Sequence, residues 1–216
     1  MKISGVIFDL DGTLLDSMPY WENVGIGYLT EQGIPVDDPE DLKLKFKTMT
    51  LPEAAEYYRQ MFDVKDSVEK ICRDIAERIN DGYRCHAPLK EGVREVLDMF
   101  RQKNIPMSIA TATEHSLVDL ALKRLDIADY FTYVTTCGDL NTSKHVPFIF
   151  DECARMMHTA KEETVVFEDS LHSIVTASGA GYPVVGIYDA SAQSEEQEIR
   201  CLSKQYLKSW KEFTID

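Results

Sequence analysis

What this chain lacks narrows what it can be. No stretch approaches the ~20 consecutive apolar residues of a membrane span. The first apolar run is broken at Asp9, too soon for a secretory leader. Cysteine pairing is missing too. Cys72, Cys85, Cys137, Cys153 and Cys201 are odd in number, scattered and never at CxxC spacing. That excludes the usual zinc and dithiol motifs and reads as reduced thiols in a cytoplasmic protein. Positive charge is scarce: 23 Lys and Arg stand against 37 Asp and Glu, a formal net charge of -14. Nucleic acid and anionic membranes reward clustered Lys and Arg, so neither is expected as a partner. There is no repeat and no low-complexity tract. His86, His115, His145, His158 and His172 show no metal-ligand spacing.

What is present is a soluble, globular composition, with 44% hydrophobic and 28% charged residues in 216. That length holds one substantial core, or a core with a smaller inserted module. Short apolar runs at 3–8, 107–110, 133–135, 164–167 and 183–187 read as strands. Between them lie helical patterns. Val93, Val96, Leu97 and Phe100 follow i, i+3, i+4, i+7 spacing; a second pattern runs from Leu117 to Leu125 and a third covers 148–157. Such alternation predicts an α/β fold, a three-layer Rossmann-like parallel sheet with helices on both faces. Ligands of such sheets sit beyond the carboxyl ends of the strands. Residues 17–86 break the alternation with helical stretches at 20–32, 39–47, 52–61 and 67–83 and no convincing strand. An all-helical cap domain inserted at 17–86 into a core of 1–16 and 87–216 is the expected organisation.

The strand ends carry the chemistry. GVIFDLDGTLLDS, at 5–17, runs from a buried-strand pattern directly into Asp9, Asp11 and Asp16. Side chains two apart on extended backbone face the same way, so Asp9 and Asp11 can share a site. Like charges held together need a cation or a proton between them. Thr111 follows the strand at 107–110, Lys144 precedes the helix at 148, and Glu168 and Asp169 follow the strand at 164–167. Asp9, Asp11 and Asp169 at one sheet edge suit Mg2+, which prefers carboxylates, waters and substrate phosphate. A hydroxyl and a lysine beside them would hold phosphoryl oxygens, and helix N-termini after Thr111 and Asp169 would add backbone donors.

This ordered set, DLDGTLLDS at 9–17, Thr111, Lys144 and Glu168-Asp169, resembles the four motifs of the haloacid dehalogenase-like superfamily over essentially the whole chain. The likeness is to its capped members, of the phosphoglycolate phosphatase and β-phosphoglucomutase type. The resemblance implies that Asp9 is a nucleophile forming an aspartyl-phosphate and Asp11 a general acid and then base. It implies Mg2+ held by Asp9, the Asp11 backbone carbonyl and Asp169, with Glu168 as a ligand or its support. Thr111 and Lys144 would bind the transferring group. Further substrate contacts are implied at Gly12 and Ala112 and, in the cap, at Lys47 and Thr48. The substrate would be a small phosphorylated metabolite; the oligomeric state is not set by the sequence, and a monomer is compatible with it. The chain departs from the family pattern where His145 follows Lys144 in place of the usual proline, where the stretch up to Phe148 lacks the acidic residue usual a few positions on, and where Ser173 stands in place of the common glycine.

Blander readings stand beside these. Asp-Gly at 11–12 is a common turn dipeptide, Thr111 or Thr113 can be a helix cap, and Lys144 alone would be a solvated lysine. Cys137 reads as a small buried residue. The acidic stretch at 195–198 reads as a solvated helix start, and Lys43, Lys45, Lys47 and Arg59 fit either a wet helix face or substrate contacts. A phosphatase leads. A sugar-phosphate mutase shares every core motif, but the histidine that couples cap closure to its acid/base chemistry is matched here by Trp21, which cannot shuttle protons. A dehalogenase is disfavoured by Asp11, and a phosphate-binding scaffold by the retention of both Asp9 and Asp11.

Overall fold

The computed structural model describes residues 2–46 and 49–215. Along the chain, β1 (Gly5–Phe8) is followed by four helices: α1 (Met18–Glu31), α2 (Pro39–Phe46), α3 (Leu51–Met61) and α4 (Val68–Asp81). Then come α5 (Val93–Gln102), β2 (Met107–Thr111), α6 (His115–Arg124), β3 (Tyr133–Thr136) and α7 (Phe148–Met157). The remainder is β4 (Thr164–Glu168), α8 (Leu171–Gly179), β5 (Val184–Ile187), α9 (Glu196–Leu202) and β6 (Gln205–Leu207). Met1–Asp16 together with Ala87–Asp216 make one compact unit, and Ser17–His86 make another.

In the first unit the strands form one sheet in the order β3-β2-β1-β4-β5-β6, every neighbouring pair parallel. Phe8 of β1 lies level with Ile109 and Phe167, so the ends of β1, β2 and β4 are brought side by side. The first two connections step to one side of β1, and β4 returns to its other side, which makes β1/β4 the switch point where such sheets bind ligands. The α/β expectation therefore holds. Buried parallel strands are apolar on both faces, which is why Val6, Ile7 and Phe8 run without alternation and are all fully buried. Helix α5 buries Val93, Val96, Leu97 and Phe100, as its spacing requires. Two elements escaped the sequence reading. Strand β6 has only three residues, and the segment after it buries Trp210 against Phe8 and Phe167, the latter stacked at 5.0 Å.

The second unit is helical among the described residues. Helix α3 opens with a capping box: Thr50 Oγ1 accepts from the Glu53 N–H, and a Glu53 oxygen accepts from the Thr50 N–H at 2.7 Å. Helix α4 presents Ile71 and Ile75 to a core shared with Tyr28, Leu29, Leu42 and Tyr58. It passes into a π-helical segment, Gly82–His86, a departure from regular winding that the apolar periodicity does not foretell. No described helix is long and apolar enough to cross a membrane.

Candidate active site

The sheet edge at β1 and β4 gathers four of the expected side chains, Asp9, Lys144, Glu168 and Asp169. Asp9 leaves the end of β1, its N–H given to the Phe167 carbonyl at 3.0 Å, and Asp169 leaves the end of β4. Carboxylate oxygens of Asp9, Glu168 and Asp169 all lie within 4.8 Å of one another, and all three residues are buried. Lys144 stands among them, 5% exposed, hydrogen-bonded to Asp9 Oδ1 and donating to Glu168 Oε1 at 2.7 Å. His145 in place of proline does not turn the lysine away. Ser173, in place of glycine, is fully buried within α8.

Crowding sets the electrostatics. Burial pushes the Asp9 carboxyl up to about 7; Glu168 and Asp11 add to the rise and Lys144 opposes it. Burial likewise holds Asp169 well above the ordinary carboxyl value, reinforced by Glu168 and Asp9 and countered by the hydroxyl of Thr13. Burial alone would lower the Lys144 value, but the charges of Asp9 and Glu168 outweigh it and the ammonium is held above its ordinary range. A site that strains to keep its carboxylates charged, with one lysine among three of them, is short of positive charge.

The supporting contacts are specific. Thr13 Oγ1 donates to Asp169 Oδ1 at 2.8 Å, and the Thr13 carbonyl accepts from the Trp210 ring N–H at 3.0 Å. Gly12 has φ +80°, and a Cβ there would run into the Asp169 carboxylate. Its place is a backbone requirement, not a surface accident. The second Glu168 oxygen accepts from the Ser170 N–H at 2.8 Å. Thr113 is not the helix cap. Glu114 occupies that position without a side-chain cap bond, while Thr113 Oγ1 donates to Asp11 Oδ2 at 2.6 Å.

Thr111 ends β2 inside the strand, buried, and its hydroxyl accepts from the Thr113 N–H at 3.1 Å. Thr111 thus reaches Asp11 through Thr113. Asp11 is partly buried and is not one of the three clustered carboxylates; Ala112 is exposed in the loop. Lys47 and Thr48 lie outside the described residues. Thr13, Thr113 and Trp210 are the site residues that sequence reading missed. Thr13 sits within the quoted motif and could have been found there; the Thr113 and Trp210 contacts carry no local signal.

A parallel sheet with a buried carboxylate cluster at its switch point defines a Rossmann-like α/β fold with a candidate site at its ligand-binding edge. Residues 6–187 match the haloacid dehalogenase-like hydrolases, and the chain belongs to that family. It is 27% identical over 179 residues to the phosphorylated carbohydrates phosphatase of Thermotoga maritima, covering 83% of this chain and 82% of that one. It is 24% identical to hexitol phosphatase B of Escherichia coli O157:H7, across 99% of this chain and 95% of the relative. Among solved structures it resembles one described as a putative beta-phosphoglucomutase from Thermotoga maritima. The TM-score there is 0.78 and the identity 27%, with 95% of this chain and 94% of that chain covered.

Proposed function

We propose that this protein is a Mg2+-dependent phosphatase that hydrolyses the phosphomonoester of a small metabolite through an aspartyl-phosphate. The observation that carries the reading is the buried trio Asp9, Glu168 and Asp169 with the Lys144 ammonium hydrogen-bonded among them. Hard oxygen donors in an electron-rich, cation-poor pocket fit a small divalent ion. Asp9 and Asp169 would hold it, with the Asp11 backbone carbonyl, while Glu168 has one oxygen given to Lys144 and the other to the Ser170 N–H. Bound there, the ion offsets the repulsion between a carboxylate and a phosphate dianion.

The steps by this chain's own groups are these. An Asp9 oxygen attacks phosphorus, the bond from phosphorus to the ester oxygen breaks, and Asp11 gives that oxygen its proton. Asp11 then takes a proton from water as the water attacks phosphorus, and the bond to Asp9 breaks, releasing inorganic phosphate. Thr113 keeps the Asp11 carboxyl oriented for both transfers. Lys144 and Thr111 hold the phosphoryl oxygens, and Gly12 leaves room beside Asp169. The helical unit at 17–86 serves as the cap.

Hydrolysis is favoured over mutase chemistry because Trp21, in place of a proton-shuttling histidine, already gives its ring N–H to the Tyr83 hydroxyl at 2.8 Å. A screen of purified protein with Mg2+ against phosphate esters tests the reading, starting with phosphorylated carbohydrates and hexitols because relatives are named for them. Phosphate release that disappears in Asp9→Asn and with chelator is expected. Ordinary release by Asp9→Asn would overturn the covalent route. With β-glucose 1-phosphate and a trace of bisphosphate, glucose 6-phosphate forming faster than free phosphate would overturn the hydrolase assignment.

A further inference from the structure

The helical unit contains a cavity that the carboxylate chemistry does not use. It has a volume of about 220 Å3, with Trp21, Gly25, Leu51, Ala54, Tyr58 and Ile79 among its walls. No charged side chain lines it among the described residues. Trp21 has already given its one ring donor to Tyr83. That leaves one hydroxyl.

Tyr58 is fully buried, its ring stacked near Tyr28 at 6.0 Å and edge-on to Phe46 at 4.9 Å. Its hydroxyl has no hydrogen-bond partner among the described residues. The hydroxyl ends against Gly25, where a Cβ would collide with it, so the absent side chain is what gives it space at the cavity wall. Burial drives the phenol's pKa upward, so the group stays protonated and able to donate. A buried unpaired hydroxyl is destabilising, and a phenylalanine would fill the same ring position without it.

We propose that this cavity is a binding site for a small, largely apolar molecule or group with a single ring and one hydrogen-bond acceptor, taken by the Tyr58 O–H. Size favours a ring, since an apolar void of about 150 Å3 in another protein stays dry and binds benzene. Chemistry sets the rest. Among the described residues of these walls a charged ligand finds no counter-charge, and a polyhydroxylated one would bury several polar groups against a single donor. The occupant is a separate small molecule.

The probes are benzyl alcohol and toluene, titrated into the full-length protein by ligand-observed NMR. Both are expected to bind. Tyr58→Phe should weaken benzyl alcohol about tenfold, one hydrogen bond's worth, and leave toluene unchanged. Without ligand, Tyr58→Phe should melt no lower than the parent, because the lost hydroxyl is unpaired. Ala54→Leu, which adds volume at the wall, should weaken both probes. Absence of binding at millimolar concentrations, or benzyl alcohol binding indifferent to both substitutions, would overturn the site. Binding is read without turnover, so its failure is distinct from failure of the phosphatase reading.

Discussion

Lys144 donates to Glu168 Oε1 at 2.7 Å while the other Glu168 oxygen accepts from the Ser170 N–H at 2.8 Å. One carboxylate therefore fastens the lysine to the turn between β4 and α8. The same ammonium is hydrogen-bonded to Asp9, so the position of the proposed nucleophile depends on a residue 135 positions away in sequence.

Lys144→Met is expected to lower kcat at least ~100-fold, because it removes the charge facing the phosphoryl group. It should also cost about 3–5 kcal/mol of stability, as when one partner of a buried pair is lost. The loss in melting temperature should be greater in chelator than with saturating Mg2+. Equal losses in both would show that the cation and the lysine do not compensate the same carboxylates.

Asp9 predicts a pH dependence with a definite sign. Its folded-state carboxyl is raised from 3.8 to about 7, so the folded protein keeps a proton that the unfolded chain releases first. The stability from that proton is full below 3.8 and is lost as pH climbs through about 7. In chelator, the melting temperature should fall between about pH 4 and about pH 7, and saturating Mg2+ should remove most of that slope. A slope unchanged by Mg2+ would contradict the shared site.

Trp210→Phe keeps a ring in the core but strands the Thr13 carbonyl, for a cost of ~1–3 kcal/mol. Thr13 in turn braces Asp169, so the variant should need more Mg2+ for half-maximal activity. Thr13→Val should raise that requirement further. Calorimetry and a Mg2+ titration of phosphate release check both, and an unchanged Mg2+ requirement in Thr13→Val would remove the brace from the account.

Gly12→Ala and Gly33→Ala separate strain from collision. Both glycines have positive φ, +80° and +73°, but a Cβ at Gly33 meets open space whereas one at Gly12 meets the Asp169 carboxylate. Gly33→Ala should cost only the ~1–2 kcal/mol of a left-handed alanine and keep activity. Gly12→Ala should cost more and abolish turnover. Comparable thermal losses with activity retained in both would mean that Asp169 moves aside freely.

Much of this protein was legible locally. The unbroken apolar run at 6–8, the i, i+3, i+4, i+7 stripe of α5 and the acidic turn after β1 are short-range patterns, and short-range physics decides them: a strand buried on both faces needs apolar residues throughout, and a helix shows one face to the core. The alternation of such segments was enough for a parallel α/β sheet. Order along the chain also suggested that Asp9, Lys144 and Asp169 belong together. What the chain could not state was which atoms meet. Thr113, which reads as a helix cap, turns to Asp11 from 102 residues away, and Trp210 reaches the Thr13 carbonyl across 197. Neither contact has a periodicity or a local propensity behind it. The first exists because parallel pairing lays the ends of β1 and β2 side by side, the second because the segment after β6 packs Trp210 onto Phe8 of β1 and Phe167 of β4, and burial there favours polar atoms that find partners among whatever the sheet has brought near.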